Sequence, residues 1–424
     1  MSDDIQPSAP PTEAPTSSLP ARLTPEQWGT IVAVFAGGFV VQIVWTNAEL
    51  LLPLIQSSFH ASTPDVAWVV AGFPIGYALL ALPGSVLTLH WGHRRTALTG
   101  LIILGASSVL SALAGSVFEL IVWRFVGGAG AGLFFAPTAA LLSETLPEQM
   151  RARLLGLYAS SGLGVGGALG FIEGSVLGPP LGWPAVFVLT AGICGAVLLL
   201  AIWYLPPHIA PDLTLADRSV RQRASGVLRS RWLWGLTAGF AGLVIAASLS
   251  IAYVSTYIVE VHPGWGIGFA GALGSVTLFF TIPGSLLGSR LSDGGSDRRT
   301  LAVVFGILFA PIIILLPFLD QAVLVVDYVL GGLIVGAILP LLFAMPSNFR
   351  ETEGGNTSVA IGVIETSQVL LQGGAAVLFG FIVVSFGFTS AWVIFGLVAL
   401  APLPALMLVP SNRATPHSPR AIHS

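Results

Sequence analysis

Four ionisable residues stand inside long apolar stretches of this chain: Glu49, Arg124, Asp327 and Glu365. A charge at bilayer depth costs at least ~2.5–3.5 kcal/mol on insertion scales, so it is usually kept only where it faces a partner, a cavity or a substrate. An arginine so placed can hold an anionic group. A carboxylate shielded from water favours its neutral form, which equips it to take up and release a proton.

The neighbours of these charges are polar at helical spacing. Gln42, Thr46, Glu49 and Pro53 follow one another at intervals of four, three and four, which puts them on one face of a helix. Ser358, Glu365, Gln368 and Gln372 form a second such face. The candidate substrate- and proton-binding residues are therefore Glu49, Arg124, Asp327, Glu365, Gln42, Thr46, Gln368 and Gln372. Glu49 and Arg124 each lie about 10 Å, two helical turns, from the outer ends of their segments and can meet as an ion pair. The alternative for such a pair is a purely structural role, since buried pairs are often close to neutral in energy. Glu173 sits nearer a helix end and can reach the interface. Tyr253, Tyr257 and Tyr328 can line a site or be ordinary buried aromatics.

The elements that position these residues follow from composition. With 54% hydrophobic residues, 9% charged and a mean hydropathy of +0.87, the chain is a polytopic membrane protein rather than a water-soluble domain. About 20 apolar residues cross the hydrocarbon layer as a helix. Twelve segments qualify, near 29–56, 64–89, 96–116, 118–143, 153–177, 183–206, 233–259, 265–291, 299–319, 321–346, 357–385 and 388–410. All seventeen basic residues are arginines, and only Arg124 lies away from the segment ends, inside an apolar stretch. Arg94, Arg95, Arg151, Arg153, the five from Arg218 to Arg231, Arg290, Arg298, Arg299, Arg350 and Arg413 fall in alternate gaps, so both termini are expected in the cytoplasm. A bacterial or archaeal cytoplasmic membrane is the expected location.

Residues 1–27, rich in Pro, Ser and Thr and without a signal-peptide start, are expected to form a disordered tail. A first six-helix bundle over 28–206, a linker over 207–232, a second bundle over 233–410 and a tail over 411–424 complete the expected order. Cys194 is the only cysteine and is expected to serve packing. No lysine is present for a nucleotide-binding loop, no histidine lies well inside a span, and no ligand cluster suits zinc. No cofactor and no enzymatic activity are expected. A net charge of −3 makes no case for nucleic acid, which leaves the bilayer and a small-molecule substrate as partners of an expected monomer.

The chain also repeats itself. Leu120-Ile-Val-Trp-Arg-Phe-Val-Gly-Gly, ending at Pro137, aligns without gaps on Val323-Leu-Val-Val-Asp-Tyr-Val-Leu-Gly, ending at Pro340, so Gly128 meets Gly331 and Arg124 meets Asp327. Leu82-Pro-Gly-Ser and Ile282-Pro-Gly-Ser precede His93-Arg-Arg-Thr and Asp297-Arg-Arg-Thr at nearly equal separations. Parallel repeats are related by an axis along the membrane normal, which places Arg124 and Asp327 at one depth on opposite walls of a central cavity.

From about Trp28 to Pro410 these features resemble the major facilitator superfamily of secondary transporters. The family loop Gly-x-Leu-Ala-Asp-Arg-x-Gly-Arg-Arg is similar to Ser85-Val-Leu-Thr-Leu-His-Trp-Gly-His-Arg-Arg, which keeps Gly92, Arg94 and Arg95 but has Leu89 in place of the aspartate. The later copy, Ser289-Arg-Leu-Ser-Asp-Gly-Gly-Ser-Asp-Arg-Arg, keeps Asp293 with Arg298 and Arg299. The resemblance implies a cytoplasmic gate built on these six residues, weakened in the first half and better preserved in the second. The family's Arg-x-x-Gln-Gly-x-Gly-Ala resembles Arg124-Phe-Val-Gly-Gly-Ala-Gly-Ala, with Gly127 for the glutamine. Its helix-5 motif Gly-x-x-x-Gly-Pro-x-x-Gly-Gly resembles the run from Gly166 to Ser175, where Phe171 replaces the proline associated with exporters. Glycines 162, 166, 170 and 174 form a smooth packing strip, and the resemblance makes it a sliding surface between halves.

The expected fold is thus all-α, twelve transmembrane helices in two six-helix pseudo-repeats. The function implied is a proton-coupled secondary transporter working by alternating access, with symport of a small organic anion or polar solute ahead of proton-driven efflux of drug-like compounds. A non-transporting membrane receptor is a remote third.

Overall fold

The computed structural model describes residues 23–147, 150, 154, 157, 158, 160–207, 228–348 and 356–410. Within the described residues every element is helical, as a lipid environment requires of a chain that must satisfy its backbone hydrogen bonds internally. The first repeat has α1 (Pro25–Phe59), α2 (Thr63–Trp91), α3 (His93–Ala112), α4 (Val117–Thr145), α5 (π-helical over Gly162–Gly166, then Gly167–Leu181) and α6 (Trp183–Tyr204). The second has α7 (Arg231–Ala252, continued after Tyr253 as Val254–Val261), α8 (Gly266–Asp293), α9 (Arg298–Leu315), α10 (Gln321–Ala344), and α11 and α12, which share the run Asn356–Leu400 and part at Gly387. The fold is the expected twelve-helix, two-repeat membrane bundle. Most of the first tail, the linker and the last tail lie outside the described residues, as do Arg151, Arg153, Arg218, Arg350 and Arg413.

Short polar caps set the helix ends. Thr24 and Gln27 form a reciprocal capping box at α1, and Ser62 and Asp65 another at α2. Ser116, Asp297 and Asp320 cap α4, α9 and α10 through side-chain oxygens. The tightest turns repeat as well. Gly92 and Gly295 at φ 82° and 85° turn α2 into α3 and α8 towards α9, while Gly182 and Gly387 at 82° and 80° join α5 to α6 and α11 to α12. Only glycine adopts such backbone without strain.

Glycine also decides how closely helices cross. A β-carbon at Gly128 would collide with the Phe73 carbonyl oxygen, and one at Gly132 with that of Tyr77, so α4 lies backbone to backbone on α2. In the second repeat Gly332 meets the Thr277 carbonyl and Gly336 that of Thr281, locking α10 on α8. Counted from the helix caps Ser116 and Asp320, these crossings pair Gly128 with Gly332, and Arg124, four residues earlier, with Tyr328. The gap-free alignment of Arg124 with Asp327 is off by one residue. One residue is about 100° of helix rotation, enough to aim a side chain in another direction.

This crossing yields a discriminating test. Gly128→Ala and Gly332→Ala should each cost at least about 1–3 kcal/mol through overpacking. Gly331→Ala should be nearly neutral, because its β-carbon would meet only Ile312 Cγ2 at 3.6 Å and Phe309 Cε2 at 3.9 Å. Thermal unfolding of the three purified variants checks the order, and equal losses would contradict the register.

The repeats meet along two seams. α5 packs on α8, where Gly271 receives Ser175, Gly274 receives Phe171 and Gly164 lies under Ile282. α2 packs on α11, where Gly380 receives Ala67 and Gly373 receives Ile75. Both seams run from the face of short turns, at residues 60–62, 182 and 387, down to mid-depth. Among hydrogen bonds joining two described residues, none crosses between the repeats closer to the arginine-bearing face than Tyr77–Glu365. Among the described residues, the contacts between the repeats thus run along the short-turn half of the molecule.

Candidate functional site

Arg124 is buried, with 2% of its surface exposed. Its guanidinium donates through Nη1 to the Val44 carbonyl and through Nη2 to the Trp45 carbonyl at 3.0 Å, both on α1, and packs over the Phe73 ring at 4.6 Å. Tyr328 does the matching work in the second repeat, where its hydroxyl donates to the Ser250 carbonyl of α7 at 3.1 Å. Both residues staple a central helix of their own bundle. The structural role for Arg124 is the one the geometry supplies.

Glu49 is buried one turn beyond, and its Oε1 accepts from the Trp45 indole at 3.1 Å. It makes no direct salt bridge with Arg124, although the two charges interact electrostatically through the protein; the ion pair found among the described residues is His93–Glu144, at 3.2 Å. Pro53, four residues on, has no N–H to give the Glu49 carbonyl. Ser255 of α7 fills that place, donating through Oγ at 2.7 Å across the two repeats.

The rest of the α1 polar face turns towards α5. Thr46 donates to the Gly167 carbonyl at 2.9 Å, and the Gln42 and Thr46 side chains lie against Gly166 and Gly170. Thr46 is thus a packing residue rather than a cavity one, and Gln42 is half-buried on the same face. The glycine strip of α5 accordingly serves α1 in its own bundle, Gly174 receiving Leu50, while Gly164 and Gly167 face α8. Between α1, α5 and α6, Asn47 donates to Thr190 at 2.8 Å, and Thr190 faces both Glu173 oxygens at 2.9 and 3.1 Å.

Glu365 of α11 is different. Its carboxylate accepts from the Tyr77 hydroxyl of α2 at 3.0 Å, a contact that joins the repeats at mid-depth, and no cation pairs with it among the described residues. One turn on, Gln368 is buried with its Nε2 unpartnered, and Gln372 follows, half-buried. The side chain of Ser358 lies outside the described residues. Around the Tyr77–Glu365 pair are aromatic faces: Trp45 is 6.1 Å from Tyr77, and Tyr158, stacked on Phe135 at 5.2 Å and 5.5 Å from Phe35, interacts electrostatically with Glu365. A carboxylate, two amides and several ring faces are thus grouped at the seam, the kinds of group that attract polar or cationic heads with apolar bodies.

Tyr77, Trp45 and Tyr158 were not among the residues singled out from the sequence. Tyr77 is a lone polar tip in an apolar span, and nothing in spacing links it to a residue 288 positions away. Asp327 does not face Arg124 across a cavity. It is 9% exposed and lines a cleft whose other walls all belong to the second repeat, as the one-residue offset requires. Tyr253 and Tyr328 spend their hydroxyls on the Ala376 and Ser250 carbonyls, and Tyr257 pairs with His262, so all three are buried structural aromatics.

At the arginine-bearing face, Arg94 donates to the Ile202 carbonyl at 2.6 Å, Arg298 to Ala344 at 3.2 Å and Arg299 to Val409 at 3.2 Å. These are carbonyls at the ends of α6 and α10 and just beyond α12, where a helix presents partial negative charge. Arg95 is exposed. Asp293 is exposed, with no hydrogen bond or ion pair to another described residue.

Comparison with known proteins agrees with this layout. The sequence profile of the Major Facilitator Superfamily matches residues 34–360. A drug efflux pump, JefA, of Mycobacterium tuberculosis is 30% identical over 196 residues, 46% of this chain and 38% of that protein. The tetracenomycin C resistance and export protein of Streptomyces glaucescens is 31% identical over 185 residues, 44% and 34% of the two chains. These matches span well under two thirds of the relatives' own length. An uncharacterized MFS-type transporter of M. tuberculosis is 24% identical over 369 residues, 86% of this chain and 78% of that one. Among solved structures, the partially occluded inward-open xylose transporter XylE of E. coli superposes with a TM-score of 0.73 at 15% identity, covering 93% of this chain and all of that one.

Proposed function

The chain belongs to the major facilitator superfamily, and from that premise we propose that this multi-pass membrane transporter exports a small organic solute, cationic or aromatic rather than anionic, in exchange for protons. The observation that carries the reading is Glu365: a carboxylate at the seam between the repeats, bonded to Tyr77 and ringed by aromatics, while Arg124 is committed to backbone. Without an accessible guanidinium the site has nothing to attract an anion, so the small-anion expectation gives way to its runner-up. Export is favoured by the efflux and resistance proteins among the relatives. With the arginine-bearing face in the cytoplasm, the two joined seams close the outer side, and the solute is taken up from the inner side. Symport of a polar solute is the second reading, favoured by the Gln368 and Gln372 amides on the Glu365 face.

Transport into or out of proteoliposomes, with and without an imposed pH gradient, tests both. Lipophilic cations should move against a proton gradient, whereas organic anions should not; accumulation of anions alone would overturn the reading. Orientation is checked with single cysteines. Ser62→Cys, on an exposed short turn, should react with an impermeant maleimide added to intact cells, and Ser296→Cys, beside Gly295, should be protected. The reverse pattern would invert the topology.

A further inference from the structure

Asp327 presents an acceptor that its surroundings leave empty. Its Oδ2 is buried without a hydrogen-bond partner. The hydroxyls nearest to it in the cleft are all committed elsewhere: Ser250 donates to the Ala247 carbonyl at 2.8 Å, Thr277 faces the Leu273 and Tyr328 carbonyls at 2.9 and 3.1 Å, and Tyr328 donates to the Ser250 carbonyl at 3.1 Å. A buried carboxylate oxygen without a donor is costly, and here the bundle itself has no donor to turn towards it.

The space in front of that oxygen is apolar, walled by Ile251 on α7, Phe309 and Ile312 on α9 and Gly331 on α10. A second apolar groove shares Ala247 and Val335 with the cleft and continues between α7 and α10 to Leu339 and Leu342. From residue 327 to residue 342 is about 22 Å along the helix at 1.5 Å per residue. A carboxyl group thus stands at one end of a narrow hydrocarbon-lined track. The complementary ligand has a compact cationic donor at one end and a single apolar chain behind it. A bare proton would neutralise the carboxylate but leave the groove without an occupant.

We propose that the cleft is a second binding site, separate from the Tyr77–Glu365 seam, for a lipophilic primary amine whose ammonium sits on Asp327 and whose chain lies between α7 and α10. The site is built entirely from the second repeat and does not depend on the direction or coupling of transport. In the register counted from the helix caps, the position of Asp327 is held in the first repeat by Trp123, which has no carboxylate to offer.

The test uses the full chain in bilayer nanodiscs with a dodecylamine carrying a terminal diazirine, and the matching dodecanol as neutral control. After photolysis, the amine should label α7 and α10 around Val244 and Leu339. Labelling should fall about tenfold in Asp327→Asn, the loss of one charge-assisted contact, and stay unchanged in Glu365→Gln. Gly331→Leu keeps the carboxylate but fills the cleft, and it should lose the label as well, which decides the matter if Asp327→Asn does not fold. Labelling that survives both changes, or equal labelling by the alcohol, would overturn the site. Neither result bears on transport through Glu365, which the vesicle assay reads separately.

Discussion

Glutamine in place of Glu365 is expected to reduce accumulation driven by a pH gradient to background while leaving exchange of solute down its own gradient measurable. The amide keeps the shape of the side chain, and its oxygen still accepts from Tyr77, at 3.0 Å in the native protein, so the seam between α2 and α11 stays intact. What it loses is the ability to bind and release a proton. Tyr77→Phe is the complementary change: the carboxylate survives, but a hydrogen bond worth about 0.5–1.5 kcal/mol is removed from the seam. That variant should transport with altered rate and keep its dependence on the gradient. Gradient-driven accumulation at native levels in Glu365→Gln would remove the residue from coupling.

Arg124→Ala is expected to produce the largest loss of stability of any single change in the first repeat. Two charge-assisted bonds to the Val44 and Trp45 carbonyls are lost, at about 1.5–3 kcal/mol each in typical measurements, and a cavity is left beneath Phe73. Lysine should recover part of the loss by reaching one carbonyl, because its point charge lacks the planar fork that serves two acceptors. Glutamine should fall between lysine and alanine. Arg124 and Glu49 make no direct salt bridge but interact electrostatically, so Glu49→Gln should offset only a small part of the loss in Arg124→Gln. The charge swap Arg124→Asp with Asp327→Arg should be worse than either single change, since the two residues face different surroundings. Melting temperatures of the purified variants measure all of these, and rescue in either pair would restore an ionic role for Arg124.

Much of the fold was legible because a bilayer leaves few options. Apolar runs of sufficient length must be helices, and their ends are marked by caps such as Thr24 with Gln27 and by glycine turns such as Gly182 and Gly387. The sequence also identified Arg124, Glu49 and Glu365 as buried charges. It could not show their partners. The acceptors of Arg124 are backbone carbonyls, which have no signature in residue type, and the partner of Glu365 is a tyrosine on a distant segment. Asp327 was misplaced for a different reason. Gap-free pairing of two weakly similar helices tolerates a slip of one residue, whereas helix geometry turns that slip into a new direction.

The glycine crossings have a mechanical consequence. Where Gly128 rests on Phe73 and Gly332 on Thr277, main chain bears directly on main chain, with no side chain between to act as a cushion. α2 with α4, and α8 with α10, therefore behave as paired stiff beams. A displacement of α2 at its seam with α11 is transmitted to α4 without slack, and one of α8 at its seam with α5 reaches α10 in the same way. Compliance is left to the seams themselves, where small residues meet side chains and a few hydrogen bonds cross. Any movement of one bundle against the other would thus be concentrated in a thin layer between two rigid blocks, where modest free-energy differences would suffice to shift them.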